Sequence, residues 1–327
     1  MTVRLYIPKD AAAVAVGADD VASAVLAEAG RRGLDVELVR TGSRGLLWLE
    51  PMVEVATSAG RVAYGPVTIG DVAALLDAAA NNGGAHPLRQ GVADELPWLK
   101  RQTRLTFVRC GVVDPESVDD YRAHGGIKGL ERALTLGSDA IIDEVLKSGL
   151  RGRGGAGFPT GIKWKTVAQA AGPQKYIVCN ADEGDSGTFA DRMIMEGDPF
   201  VLIEGMTIAG IAVGATKGYI YIRSEYPHAI AAMKTAIEAA KKDRAARCAR
   251  CWLKPRLRSR SADGCGRLCL RRRNVAAGKF RGQAWPRACE AASTCAQGSV
   301  RQANSHQQRA VVLCDSFHPV GRRQGIR

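Results

Sequence analysis

The chain has 327 residues, of which 46% are hydrophobic and 24% are charged. This length and composition suffice for two domains with buried cores and exclude a chain that is disordered throughout. The amino terminus, MTVRLYIPKD, lacks the basic start and apolar run of a secretory signal, so we expect a cytoplasmic protein. The most apolar stretch, Phe200–Ala215, contains Glu204 and is shorter than the roughly 20 residues that a membrane helix needs, so no membrane span is expected.

The net charge of +13 is confined to the carboxy-terminal part of the chain. Residues 243–327 contain 19 lysines and arginines against four acidic residues, a net +15, which leaves −2 for residues 1–242. The same boundary separates two cysteines, Cys110 and Cys179, from the seven that follow. The charge pattern therefore indicates that the character of the sequence changes near residue 243.

Strand and helix patterns alternate through the first 85 residues. The predicted elements are a strand, a helix and a strand, followed by two strands and a helix: Val3–Ile7, Val21–Arg32, Val36–Val39, Val53–Ala56, Arg61–Tyr64 and Ile69–Ala79. This order predicts a thioredoxin-like domain over residues 1–85. No paired cysteines accompany it, so it can build neither a redox disulfide nor a four-thiolate cluster, and its predicted role is docking or support.

The next segment, residues 86–117, is predicted to be a linker with one apolar strand at Leu105–Val108. Helices are predicted over Val118–Leu146, the last of them starting at Ser138 and ending by Gly149. A βαβ-like series follows, with elements at Tyr176–Cys179, Pro199–Ala215, Tyr219–Ile222 and Pro227–Lys242. The pattern predicts an α/β domain of Rossmann-like character over residues 118–242.

Five glycines lie in the segment LRGRGGAGFPTGIKW, which runs from Leu150 to Trp164. Glycines allow backbone amides to approach an anionic phosphate without a Cβ in the way, and a helix start beside such a loop favours negative charge. Arg153 and Lys163 add positive charge. On spacing alone such a loop is more often a plain turn, and each of the two basic residues could equally be a solvated surface side chain.

A polar cluster follows directly after the strand in YIVCNADEGDSGTFADR, residues 176–192. Ligands of open α/β sheets lie outside the carboxyl ends of the strands, which is where Asn180, Asp182, Glu183 and Asp185 would lie. Their oxygens could accept hydrogen bonds from ribose hydroxyls or from the N–H groups of a flavin ring. The alternative is that these residues only form the turn and cap the next helix.

Four ordered motifs resemble the flavin-binding half of the 51-kDa family of NADH dehydrogenase subunits. They are GLRGRGGAGFPTGIKW, CNADEGDSGTFADR, EGDPFVLIEGM and GYIYIRSEYPHAI. The family includes the respiratory NADH:quinone oxidoreductase subunit, the diaphorase subunit of NAD-reducing hydrogenases and the beta subunit of NAD-dependent formate dehydrogenases. The cysteine-poor extension, with RTGSRGLLWLEPMVEV and LPWLKRQTRLTFVRCGVVDP, most resembles the formate dehydrogenase subunit.

The resemblance implies an FMN-binding and NAD-binding oxidoreductase subunit. It implies that FMN is held by Gly152, Arg153, Gly154, Gly155, Lys163, Asn180, Asp182 and Glu183, and that Phe158 and Asp185 meet NADH. No residue is assigned as a catalytic acid, base or nucleophile, because the cofactors carry the chemistry. The implied partners are an alpha subunit with molybdenum or tungsten and iron–sulfur clusters, and a gamma subunit with a 2Fe-2S cluster.

The motif pattern stops after Lys242, where the family's next segment, GAGAY followed by CGEET, is missing. Reading Arg267–Asn274 one base later, with allowed codons, gives AYVCGEET, and the same offset turns residues 298–309 into GLFGKPTVINNV. We therefore interpret residues 243–327 as an out-of-frame, disordered or non-native tail, with the frameshift between about residues 243 and 256. The α/β domain is then incomplete, and the family's 4Fe-4S ligands are absent from the chain.

Two features of the tail suggest other functions. Cys248 and Cys251 have metal-ligand spacing, and four further cysteines could complete a site: Cys265, Cys269, Cys289 and Cys295. The run Arg271–Arg273 could bind nucleic-acid phosphates. We assign no metal site and expect no nucleic-acid partner, because a frameshift explains the composition and no groove-reading pattern accompanies it. The alternatives are a hydrogenase or respiratory paralogue and, from another class, a basic nucleic-acid-binding protein.

Overall fold

The structure, a computed structural model, describes residues 2–153, 155–185, 187–247 and 315–316. They form two compact units, each made of several stretches of the chain. Unit 1 comprises the described parts of Met1–Ile127, Thr188–Leu202 and Ala231–Asp243. Unit 2 comprises Lys128–Gly187, Ile203–Ile230 and the described residues from Arg244 onward.

Strands and helices alternate along the described chain. The strands are β1 (Val3–Pro8), β2 (Val36–Thr41), β3 (Val53–Thr57), β4 (Gly60–Tyr64), β5 (Arg89–Val92), β6 (Tyr176–Ala181), β7 (Lys217–Ile222) and β8 (Asp315–Ser316). The helices are α1 (Ala11–Ala15), α2 (Ala18–Arg32), α3 (Val72–Ala80), α4 (Pro97–Lys100), α5 (Val118–Ala123), α6 (Lys128–Thr135), α7 (Ser138–Lys147), α8 (Thr160–Gln169), α9 (Ala190–Gly197), α10 (Pro199–Val213) and α11 (Pro227–Arg247). The mixed α/β fold class expected from the sequence is confirmed.

Unit 1 contains a five-stranded sheet with the order β2-β1-β3-β4-β5. β1 and β2 are parallel, whereas β3 runs antiparallel to β1 and forms a hairpin with β4. A parallel pair requires a crossover, and α1 and α2 supply it; α3 follows the hairpin. This is a thioredoxin-like topology.

The core of this sheet follows from alternation along its strands. Leu5 and Ile7 of β1 and Val55 of β3 are fully buried, and they share one hydrophobic cluster with Val25 of α2 and Leu75 of α3. Because alternate strand residues face one side, a single apolar face is enough to hold both helices.

Local signals explain where α2 ends. Asp19 and Asp20 lie in its first turn and Arg31 and Arg32 in its last, which complements the helix dipole. Gly33 takes the left-handed conformation at the carboxyl end, with φ of 65°.

Two sequence predictions for residues 86–117 are wrong in detail. Leu105–Val108 is not a strand but a series of turns, and the Leu105 side chain is 81% exposed. The edge of the sheet beside β4 is instead taken by β5, which lies in the segment predicted to be a linker. An apolar run without a free strand edge to pair with has no ladder of hydrogen bonds to join.

Unit 2 is built around the parallel strands β6 and β7. Ile141 and Ile142 of α7 and Ala212 of α10 form its hydrophobic cluster, against which Ile177 of β6 packs. Helices predicted over Val118–Leu146 are present as α5, α6 and α7, and Gly149 ends the last with φ of 68°. The helices α8 and α9 were not predicted.

Little of the predicted out-of-frame tail can be compared with the structure. Residues 243–247 continue α11, and the backbone of β8 pairs antiparallel with β7. The remaining tail, with its cysteines and the run Arg271–Arg273, lies outside the described residues. Within the described part of the chain, no helix combines the length and apolar character needed to cross a membrane.

Candidate functional site

The glycine-rich segment forms a loop that is closed at its base in unit 2. The Gly152 amide donates to the Phe158 carbonyl at 2.9 Å, and the Thr160 amide donates to the Leu150 carbonyl at 2.9 Å. Gly155 and Gly157 have positive φ of 91° and 58°, which residues with a Cβ rarely adopt. The chain therefore reverses here because glycines permit it. Gly154 lies outside the described residues.

Helix α8 begins directly after this loop and brings three predicted site residues together. The Lys163 ammonium lies 5.8 Å from the centre of the Phe158 ring and 4.0 Å from the position that a Cβ on Gly152 would occupy. Phe158 is 46% exposed, so its ring is available to a ligand. Arg153 is also exposed. The loop and the start of α8 thus present a cation and an accessible aromatic ring.

The second group of predicted residues follows β6. The Asp182 amide donates to the Asn180 side chain at 3.1 Å, so Asn180 does stabilise the turn, as the simpler interpretation holds. Burial raises the pKa of Asp182, and the nearby Arg223 guanidinium opposes this shift. Glu183 is buried and Asp185 is exposed. Asp182 and Asp185 therefore lie in different environments although both follow the same strand.

Sequence reasoning missed Arg223 and Tyr226, which follow β7. The register pairs Ala181 with Ile222, so the carboxyl ends of the two parallel strands share one edge. There the Tyr226 hydroxyl donates to the Glu183 carbonyl at 2.5 Å, and Arg223 Nη1 donates to it at 3.4 Å. The signal was present in GYIYIRSEYPHAI, because a parallel strand brings whatever follows it to this edge.

One hydrophobic cluster supports both halves of the site. Trp164 and Ala168 of α8 pack on the same cluster as Ile177 of β6. The glycine loop and the polar turn after β6 are therefore attached to elements that share one core.

The two groups offer contacts that suit different parts of an anionic, ring-containing ligand. Lys163 can neutralise a phosphate, while carboxylate and amide oxygens after β6 can accept hydrogen bonds. Among the described residues, no group of three or more histidines, cysteines or acidic residues could hold a metal ion.

Comparison with known families agrees with the motifs. Residues 145–267 match the Nuo51 FMN-binding domain. The expected resemblance to the 51-kDa family is confirmed for this stretch. The matched range ends inside the proposed tail, 25 residues beyond Lys242, where the motif pattern stops.

Curated relatives match part of the chain. The chain is 54% identical over 142 residues to the HndC subunit of the NADP-reducing hydrogenase of Solidesulfovibrio fructosivorans, covering 43% of this chain and 29% of that protein. It is 56% identical over 149 residues to the F subunit of the NADH-quinone oxidoreductase of Aquifex aeolicus, covering 45% of this chain and 35% of that protein. The chain thus spans about a third of the length of these relatives.

Two solved structures of an NAD+-reducing NiFe hydrogenase also align with the chain. The air-oxidised form gives a TM-score of 0.34 at 23% identity, covering 74% of this chain and 41% of that one. The H2-reduced form gives a TM-score of 0.36 at 25% identity, covering 75% of this chain and 40% of that one.

Proposed function

We propose that this chain derives from the flavin-containing electron-transfer subunit of a cytoplasmic NAD-dependent formate dehydrogenase. The observation that carries the proposal is the loop at residues 151–159, with Lys163 beside Gly152 and Phe158, inside the segment that matches the FMN-binding domain. The cysteine-poor thioredoxin-like extension supports the formate dehydrogenase assignment over other members of the family.

The residues present fit FMN. A Cβ on Gly152 would lie in ordinary van der Waals contact with the Phe158 carbonyl at 3.6 Å and the Lys163 ammonium at 4.0 Å, so it would occupy space beside this cation. In the proposal Gly152, Gly154, Gly155, Arg153 and Lys163 bind the phosphate side. Asn180, Asp182 and Glu183 accept hydrogen bonds from the ribityl and ring groups.

FMN, when bound, would exchange a hydride with the nicotinamide and release single electrons. The protein's own part is to orient both molecules. Phe158 offers an exposed ring face on which a nicotinamide or adenine can stack, and Asp185 offers an exposed carboxylate for ribose hydroxyls. Neither residue transfers a proton in this scheme.

The test of FMN binding uses the purified chain and free FMN, with flavin fluorescence as the readout. Lys163→Ala should weaken binding about tenfold, because a charge-assisted contact to the phosphate is lost. Lys165→Ala is the matched control, since it removes another exposed lysine from the same helix and should leave binding unchanged. Equal effects of the two substitutions would contradict the assigned phosphate site.

The proposal also holds that residues 243–327 are out of frame and that the family's second flavin segment is lost with them. Nucleotide sequencing across codons 235–327 tests this directly. An offset frame encoding AYVCGEET would support it, and a frame-corrected chain should then bind FMN more tightly and reduce an artificial acceptor with NADH. Codons that exclude this offset would overturn the frameshift and restore the basic tail as an authentic segment.

A hydrogenase or respiratory protein is the second candidate, favoured by the relatives themselves. One of them belongs to a hydrogenase and the other to an NADH-quinone oxidoreductase, at similar identity. Co-purification of the frame-corrected chain with its neighbouring gene products distinguishes the candidates. NAD+ reduction by formate supports the formate dehydrogenase, with alpha and gamma subunits as partners, whereas NAD(P)+ reduction by hydrogen supports the alternative.

A further inference from the structure

The thioredoxin-like domain contacts a segment that lies far from it along the chain, and its sequence pattern does not predict this contact. Helix α9 and the residues around it, Thr188–Leu202, belong to unit 1 although they follow the candidate nucleotide loop along the chain. The end of this helix is deeply buried: Glu196 is 4% exposed and Asp198 is 0% exposed. Burying two acidic side chains is costly unless specific groups receive them.

The Glu196 carboxylate accepts a hydrogen bond at the start of α1. The Ala11 amide donates to Glu196 Oε2 at 2.6 Å, while the neighbouring Asp10 side chain accepts from the Ala12 and Ala13 amides. Reactive cysteines of disulfide-exchanging proteins are favoured at helix amino termini, where the thiolate is stabilised. Here alanines occupy that position, and one of their amides binds a carboxylate from a distant segment.

The next two residues are held by different interactions: Gly197 by close backbone packing and Asp198 by an ion pair. A Cβ on Gly42 would lie 2.4 Å from the Gly197 Cα, so the two backbones touch with no room for a side chain on Gly42. Arg109 Nε donates to Asp198 Oδ2 at 2.8 Å, and this pair is largely shielded from solvent. The Cys110 thiol lies 3.8 Å from the Met193 carbonyl, which extends the contact by one helical turn.

We propose that the thioredoxin-like domain, together with Arg109 of the segment that follows it, is a receptor for the segment Glu196-Gly197-Asp198 of its own chain and so positions helix α9. The surface consists of the Ala11 amide, Gly42 and Arg109, and it fits an acidic segment with a small residue at its centre. Because α9 begins five residues after Asp185, the domain fixes the far end of the segment that carries the proposed nucleotide-contacting residue. This positioning of α9 requires neither a reactive thiol nor bound flavin, so it can be tested separately from the proposed function.

Gly42→Ala in the full chain tests the receptor. The three nearest atoms to the added methyl group all belong to Gly197, so the substitution should open this contact and leave the sheet of unit 1 intact. Gly30→Ala is the matched control, because it makes the same change in α2 of the same domain and its methyl group meets nothing within 4 Å.

The readout is hydrogen–deuterium exchange of peptides followed by mass spectrometry. Gly42→Ala should raise the exchange rate of residues 190–198 about tenfold while peptides from β1 and α2 keep their wild-type rates. Gly30→Ala should change neither. Unaltered exchange of residues 190–198 in a folded Gly42→Ala variant would overturn the proposal.

Arg109→Gln provides a second, independent measurement if Gly42→Ala fails to fold. It removes the ion pair with Asp198 without adding volume, so exchange of residues 190–198 should rise by a smaller factor, about threefold. Wild-type exchange in Arg109→Gln would then overturn the proposal. Acceleration confined to residues 190–198 would support it.

Discussion

At the scale of single residues, unit 1 buries several charged groups. Arg44 binds Glu54 through two hydrogen bonds, with Nε–Oε1 and Nη2–Oε2 distances of 2.5 and 2.9 Å, and both side chains are nearly inaccessible to solvent. Among the described residues, Glu50, by contrast, accepts hydrogen bonds only from neutral donors, the Ser43 hydroxyl at 2.7 Å and the Met52 amide at 2.9 Å. The two carboxylates are therefore held by different kinds of partner, a guanidinium for Glu54 and neutral donors for Glu50.

Glu50 should make the protein less stable as pH rises. Burial raises the pKa of Glu50 from 4.5 to about 7, so the folded state binds a proton more tightly than the unfolded state does. The contribution of this proton is fully present below pH 4.5 and is lost as pH rises through about 7. At 1.4 kcal/mol for each pKa unit, the loss is on the order of 3 kcal/mol.

Glu50→Gln should remove that pH dependence, because the amide stays neutral and can still accept from Met52. The free energy of unfolding of the variant, relative to wild type, should increase between pH 5 and pH 8 when measured by urea denaturation. Glu131→Gln, at an exposed position in α6, is the control and should show a much smaller change. A constant difference between Glu50→Gln and wild type across this pH range would contradict the assignment.

Tyr226→Phe isolates the hydrogen bond at the edge of the candidate site. The variant loses the buried bond from the Tyr226 hydroxyl to the Glu183 carbonyl, so the free energy of unfolding should fall by about 1 to 2 kcal/mol. Tyr176→Phe is the control, since the described residues show no hydrogen bond from that hydroxyl. A larger loss in the control than in Tyr226→Phe would show that the bond does not stabilise this turn.

At the scale of elements, alternation and caps predicted most strands and helices, but two helices were missed for a physical reason. The residues of α8 follow a glycine-rich loop and those of α9 follow a polar one, and both helices are only two to three turns long. Their apolar residues are too few to give a clear period in the sequence. The helices depend on tertiary packing, as Trp164 and Met195 show.

Gly161→Ala should disrupt the packing of α8 on α7. An added Cβ would lie 2.6 Å from Leu146 Cγ and 2.8 Å from its backbone nitrogen, so the two helices must separate. We expect the free energy of unfolding to fall by about 2 kcal/mol, as for other overpacked sites.

Gly205→Ala is the matched comparison for Gly161→Ala. It lies inside α10 with nothing within 4 Å of the added methyl group, so it should stabilise the protein by about 1 kcal/mol. Thermal unfolding of both variants checks the pair. Destabilisation by both substitutions to the same extent would show that helix propensity, and not contact with Leu146, decides the result.

At the scale of the whole molecule, each of the two units consists of several separate stretches of the chain, and two helices are divided between the units. α10 and α11 each contribute residues to both units. Complete unfolding of either unit therefore unravels part of a continuous helix whose remaining residues belong to the other unit. We expect one cooperative transition, in which peptides from β1 and β7 lose protection against hydrogen exchange at the same urea concentration. Two separate midpoints would contradict this coupling.

Local sequence patterns predicted only part of the candidate site. The sequence identified Gly152, Lys163 and Phe158 as a group, and the structure brings them together because they are close along the chain. Arg223 and Tyr226 were missed because they reach Glu183 only through the parallel pairing of β6 with β7. Contacts made across a sheet depend on strand order, which motif spacing alone does not specify.

The contact between Gly42 and Gly197 has a consequence for how such chains can be recombined. Two positions separated by 155 residues must both remain small at the point of contact, and the tolerance is unequal. A Cβ on Gly197 would meet its nearest neighbours at 3.5 Å, whereas one on Gly42 would meet the facing backbone at 2.4 Å. A thioredoxin-like domain transplanted from another chain would therefore need glycine at the position equivalent to 42 in order to make this contact. Among homologues that carry this fusion, position 42 should be the less variable of the two, while alanine at position 197 should be an accepted substitution.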